Sequence, residues 1–306
     1  DTMRIAHTSL VGQIGGALAR NQQELALKQI EIGTGRSYVR RSQDTDAAAA
    51  VTRLEETQQQ NQRWELNVDQ ATYWSRVSDG QLGNLNDIMQ RVKEVTTTSV
   101  NGTHPDSYRQ DLAEEVNNAI EDMLDLSNSQ VDGVPLFAGT NTGQLPFTPT
   151  RDVNGDITAV TYNGNGNERE IQISENSTAP YGVPGGGVDG VFIATGDTVD
   201  VFQSLINLRD ELRVGGVPTT AVVDDIHKST DHVVDKVVEN GLKQSRFEAL
   251  GNKMTDMEME NRTRISQLKD IDIAKAATEL SQLQASYQAS LQIAARIDGL
   301  NLMKYI

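Results

Sequence analysis

Leu280-Ser281-Gln282-Leu283-Gln284-Ala285-Ser286-Tyr287-Gln288-Ala289-Ser290-Leu291 is the stretch on which the reading of the fold turns. It sits in a proline-free run, residues 265–306, in which Ile273, Ala276, Leu280, Leu283, Tyr287, Ala294 and Ile297 recur in alternating steps of three and four. Ser290 takes the one seam position left over, and Leu291 lies beside it. A seven-residue apolar repeat predicts a helix that must cover a narrow stripe with another helix, because one stripe on a lone helix cannot leave water by itself. The first thirty-odd residues carry a fainter stripe of the same period. Val11, Leu18, Leu25 and Ile32 recur every seven residues, with Ile14 between the first two and the seam interrupted by Asn21 and Lys28. The two ends are therefore expected to meet.

Between them the pattern predicts long helices and one β-rich excursion. The first helical stretch ends at Gly33 and Gly35, and a second starts near Asp44 or Asp46, where a carboxylate can cap free amides ahead of the alanine run 47–50. That helix is expected to reach about Ser99, where Asn101-Gly102-Thr103-His104-Pro105 makes a turn, and a third runs from about Asp106 to Gln130. From Asp132 to about Gly196 the character changes: twelve of the 25 glycines and five of the seven prolines lie there. Strands are expected at 156–162 and 169–174, after Asn154-Gly155 and Gly164-Asn165-Gly166. Helix resumes near Asp197–Arg213, and after Gly215-Gly216-Val217-Pro218 one helix is expected from Thr219 or Thr220 to about Ile297. The expected fold is mainly α with a small β-rich insert. The expected parts are terminal helical arms at 1–42 and 265–306, a helical rod of 43–131 and 197–264, and an inserted β-rich domain at 132–196.

Composition removes several function classes. Among 306 residues the net charge is −16, which repels phosphate backbones and anionic headgroups, so neither nucleic acid nor membrane is an expected partner. Cysteine is absent, which excludes disulfides, a thiolate nucleophile and cysteine-based metal sites. Residues 1–15 lack the charged start and apolar core of a secretory signal peptide, so export is expected by another route.

Motifs that imitate chemistry do not complete it. His7, His104, His227 and His232 are scattered, and the last two stand five apart, off a common helix face. Asp152-Val153-Asn154-Gly155-Asp156 opens like a calcium loop, but its twelfth residue is Asn163 rather than the closing glutamate, and a hairpin turn is expected instead. Gly164-Asn165-Gly166 has Arg169 where a dinucleotide fingerprint needs its third glycine. No Gly-x-Ser-x-Gly elbow occurs, and Asp224-Asp225 are neighbours that point apart on a helix. No catalytic, cofactor or metal residue is assigned.

Val134-Pro135-Leu136-Phe137-Ala138-Gly139-Thr140, followed by Pro146-Phe147, resembles the stretch that opens the outer domain of the hook–filament junction family of bacterial hook-associated proteins. The run from Leu280 to Leu291 and the ending Leu300-Asn301-Leu302-Met303-Lys304-Tyr305-Ile306 resemble the end of that family and of flagellins generally. Met3-Arg4-Ile5 and Arg41-Ser42-Gln43-Asp44 are similar to its N-terminal pattern, with Thr45 where a proline is common. The resemblance implies an elongated flagellin-like architecture and a structural role: export through the flagellar type III channel, then helical assembly in which the arms form an inner coiled coil. It implies as partners further copies of the chain in a ring, the other hook-associated junction protein, flagellin and an export chaperone, at the extracellular hook–filament junction. The packing contacts expected on this basis are Ile5, Leu10, Ile14, Leu18 and Leu25 in the first arm, and Leu280, Leu283, Tyr287, Leu291, Ala294, Ile297, Leu300 and Leu302 in the second. Arg91 and Glu115 are expected to contact rod helices or neighbouring subunits. Two other readings stand beside this one: a filament flagellin, which shares both termini, and an enzyme or ligand-binding protein using the β insert.

Overall fold

The structure is a computed structural model that describes residues 2–37, 45–101 and 104–302, with side-chain surroundings for 12–37, 45–101 and 104–296. Contacts divide it into two compact units, one of residues up to Gln60 with those from Asp256 onward, the other of Asn61–Thr255.

The first unit is built on α1 (Thr2–Thr34) and α6 (Ile273–Leu302), with the start of α2 (Thr45–Ser99) and the end of α5 (Thr220–Lys269). The single helix expected over 219–297 is broken at Asp270-Ile271-Asp272. No glycine or proline causes the break. The amide of Ile271 leaves the helical ladder to donate to the carbonyl of Gly35 (3.0 Å), and the Asp272 carboxylate caps the amides of Ala274 and Lys275 at 3.0 and 3.1 Å. The amide of Ser37 donates to Lys269 O (2.8 Å), and Arg36 and Asp270 form an antiparallel bridge. A short backbone stitch thus joins the end of α1 to the α5–α6 corner.

The second unit holds the remainder of α2 and α5, with α3 (Asp106–Ser127), α4 (Val201–Arg213) and nine short strands between the two. The strands are β1 (Gln130–Val131), β2 (Val134–Pro135), β3 (Phe147–Arg151), β4 (Ile157–Tyr162), β5 (Arg169–Ser174), β6 (Ser177–Tyr181), β7 (Gly186–Gly187), β8 (Ile193–Ala194) and β9 (Val199–Asp200). They pair as three antiparallel hairpins, β1–β2, β3–β4 and β5–β6, and a small mixed sheet β7–β8–β9. The turn at Asp152–Asp156 is a hairpin turn as expected, closed by the Asp152 carboxylate on the amides of Asn154 and Asp156 (2.9 Å each).

Helix ends move where side chains are recruited elsewhere. The third helix stops at Ser127 rather than Gln130 because Asn128 pairs both its amide oxygen and its amide nitrogen with the backbone of Phe147, each at 3.0 Å. The fourth begins at Val201 rather than near Asp197, since β9 occupies Val199–Asp200 and the Asp200 carboxylate caps Gln203 N at 2.9 Å.

The insert does not form its own core. Phe147 and Phe192, buried in the insert, each lie 5.6 Å between ring centroids from Phe202 of α4, and buried Phe137 packs on Phe192 at 5.3 Å. Buried arginines complete the join. Arg209, 2% exposed on α4, donates to the carbonyl of Ile157 (2.7 Å) and to the Asn117 side chain (3.1 Å). Arg109, 4% exposed on α3, reaches the carbonyls of Ser99 and Asn101 at the end of α2 and that of Gly215 beyond α4. Arg169 lies over the Trp74 ring, 4.3 Å from its centroid, while donating to Gly139 O and Pro135 O.

Candidate assembly interface

The two stripes read from the sequence face each other. Ile14, Leu18, Leu25 and Ile32 of α1 are half-buried, as are Leu280, Leu283, Tyr287 and Ala294 of α6, and Ala276 is buried. Hydrogen-bonded pairs run in opposite senses along the two helices, which are therefore antiparallel. Asn21 pairs with Ser290 and Lys28 with Glu279.

The polar residues that interrupt the two stripes, Asn21, Lys28 and Ser290, each have a partner. Asn21 Nδ2 donates to Ser290 Oγ at 3.3 Å, and Ser290 Oγ in turn donates to the Ser286 carbonyl at 2.8 Å. The Lys28 ammonium lies 2.9 Å from both Glu31 and Glu279. Hydrogen bonds donated to Glu31 and then to Glu279 raise the Lys28 pKa above the ordinary lysine value, and Lys28 lowers that of Glu279. Near the corner, Lys269 reaches Glu55 at 2.9 Å.

What the pair does not do is bury much. Among the described residues of this unit the fully buried apolar side chains are Ala48, Val51 and Ala276. Leu291 is 42% exposed, Ile293 53% and Ile273 63%. Leu291, expected in the packing set, thus faces solvent in the single chain; it stood beside the seam rather than in it. Ile5 and Leu10, and Ile297, Leu300 and Leu302, fall outside the residues whose side chains are described. A helical pair whose seam is only half covered has stability to gain from further burial.

Arg91 and Glu115 are exposed on α2 and α3, and neither makes a hydrogen bond or ion pair among the described residues. Other cations join elements within the second unit, among them Arg109, Arg209, Arg151 and Arg213. None of these was anticipated from the sequence, although two carried a signal there. Arg109 shares a face with Leu112, Ala113 and Val116, and Arg209 with Leu205 and Leu212, so each is a charge inside an apolar stripe.

His232, buried on α5, faces the carbonyl of Gly190 at 2.8 Å. Gly164, Gly166 and Gly139 are packed against neighbouring backbone or aromatic atoms, so the glycines of this region serve close approach. The Phe137–Gly139 segment is core: Phe137 and Ala138 are buried, and Gly139 has φ +67° with Asn165 O where a Cβ would stand.

Comparison with known proteins adds an independent line. The family model of the bacterial flagellin N-terminal helical region matches residues 12–142, and that of the C-terminal helical region matches residues 222–306. The chain is 23% identical to the flagellar hook-associated protein 3 of Salmonella typhimurium strain LT2 over 317 residues, covering 99% of each chain. Its fold is similar to a structure described as a flagellar hook-associated protein from Vibrio parahaemolyticus (TM-score 0.62, 16% identity, 74% of this chain and 100% of that one). It is also similar to FlgL of Bacillus cereus (TM-score 0.53, 14% identity, 70% and 97%).

Proposed function

The chain belongs to the flagellin superfamily, and from that premise we propose that it is a structural component of the bacterial flagellum at the hook–filament junction. Both helical regions of the superfamily are present, and the likeness to the hook-associated protein runs from end to end. The family is structural, and the chain acts by assembling with other flagellar components rather than by catalysis.

One observation carries the mode of action: the first unit pairs its terminal helices yet leaves their seam half covered and Ile273, Leu291 and Ile293 in water. Apolar area left exposed at about 25 cal/mol per Å² favours association once a complementary surface is offered. The arms, with Leu18, Leu25, Leu280, Leu283, Tyr287 and Leu291 as contacts, are completed by neighbouring subunits in a helical ring. The same reading makes 1–42 with 265–306 the assembling part, 43–131 with 197–264 the rod, and 132–196 the outward module. Arg91 and Glu115, solvent-facing in the single chain, are then available to neighbours. Its partners are the second hook-associated junction protein below and flagellin above. A chaperone holds the arms before export through the flagellar type III channel.

Among the described residues no helix is long and apolar enough to cross a membrane. The test is a pull-down with the purified second junction protein alongside a sedimentation assay for self-polymerisation. Binding to the junction protein without long filaments is the expected result; filaments formed by the chain alone, with no such binding, would assign it to the filament instead.

A further inference from the structure

A seven-residue apolar repeat is degenerate: sliding one helix along the other by seven residues brings apolar positions back opposite apolar positions. Leu18 and Leu25 alone therefore do not fix where α6 lies along α1. We propose that Asn21 and Lys28 of α1, with Ser290 and Glu279 of α6, are the specificity-determining contacts that set the antiparallel register of the two terminal helices.

The observed register joins Asn21 to Ser290 and Lys28 to Glu279. Slide α6 by seven residues in one direction and Asn21 comes opposite Leu283, while Ser290 comes opposite Ile14. Slide it the other way and Asn21 comes opposite Ile297, while Ser290 meets Lys28. Either slip sets a carboxamide against an apolar side chain in a half-buried seam and separates Lys28 from Glu279. An unmatched polar group at such a seam costs more than a matched pair contributes, so the pairs act mainly by penalising wrong alignments. Asn21, Lys28 and Ser290 are also the positions that interrupt the two apolar stripes, and all three are paired across the seam. A slip of one heptad in either direction would also part the backbone stitch at Gly35–Ile271, so the side-chain pairs hold the alignment together with that stitch.

These 306 residues include no cysteine, so two spin labels can be placed without removing any. Labels at Gln22→Cys and Gln284→Cys, both exposed sites, report the α1–α6 alignment by pulsed electron resonance on the isolated chain. One narrow distance population is expected for the otherwise native sequence. In the Asn21→Leu, Ser290→Leu variant a second population is expected, with α6 displaced by one heptad, about 10 Å along its axis. Lys28→Glu is expected to populate a displaced state, that with Ser290 rather than Asp272 opposite residue 28, and adding Glu279→Lys to restore the single population. A single unchanged population in the double-leucine variant, or failure of the charge reversal to restore alignment, overturns the proposal. Because no flagellar partner is present, that failure would leave the junction assignment standing.

Discussion

Nη1 of Arg209 on α4 donates to the carbonyl oxygen of Ile157 at the start of β4 over 2.7 Å, and both residues are buried. A helix and an inserted strand are thereby joined by a charge-assisted bond in a region from which water is excluded. Removing the guanidinium leaves that carbonyl and the Asn117 side chain without their donor. Arg209→Ala is expected to lower the stability of the second unit by about 2–3 kcal/mol. Arg91→Ala, at an exposed site, is expected to change it by less than about 0.5 kcal/mol. Urea unfolding followed by the fluorescence of Trp64 and Trp74 measures both; equal effects would show that the buried bond carries no stability.

Backbone conformation separates two glycines. At Gly139 (φ +67°) an added Cβ would lie 2.2 Å from Asn165 O, a rigid backbone atom, whereas at Gly155 (φ +95°) it would meet nothing within 4 Å. Gly139→Ala adds a clash to strain and is expected to cost about 2–4 kcal/mol. Gly155→Ala carries the strain alone, about 1 kcal/mol. Thermal unfolding of the two variants should rank them in that order, and a reversed order would show that the segment around Gly139 yields.

Acid should loosen the junction between insert and helices. The Arg213 guanidinium, 2.7 and 3.1 Å from the two carboxylate oxygens of Asp156, holds that carboxyl below the usual aspartate range. A depressed folded pKa contributes stability that is fully present above the unfolded value of about 4 and is lost as pH falls through the folded value. Asp156→Asn is therefore expected to be less stable at neutral pH and to lose less on acidification below about pH 4. Parallel pH profiles for the two proteins would refute the pairing as the source.

Hydrogen exchange should separate the two units. Amides of α1 and α6 are expected to exchange faster in the isolated chain, through local opening of their half-covered seam, than those of α3 and α4 around Ile120, Met123, Leu205 and Leu208. Assembly should slow α1 and α6 selectively. Strong protection of both helices in dilute monomer would count against completion by neighbours.

Periodicity reads local geometry, and local geometry is what the sequence by itself determined. Alternating steps of three and four from Ile273 to Ala294 place those residues on one helix face whatever the rest of the chain does, and α6 follows. The same holds for the Asn154-Gly155 hairpin and for the clustering of glycine and proline that announces the insert. Of the apolar positions read in advance, Leu18, Leu25, Leu280 and Leu283 are half-buried, whereas Leu291 is exposed.

Only the tertiary structure decided what lies opposite what. Asn21 and Ser290 stand 269 residues apart, and nothing local states that two seam interruptions answer each other. The break at residues 270–272 has no breaker residue; it arises because Ile271 N finds Gly35 O, a partner from the far end of the chain. Arg109 and Arg209 read as charges out of place within apolar stripes until the carbonyls of Gly215 and Ile157 are brought to them. A side chain's periodicity is fixed by its own helix, whereas its hydrogen-bond partner is fixed by packing between elements, and that is why the stripes were visible in advance and the pairs across them were not.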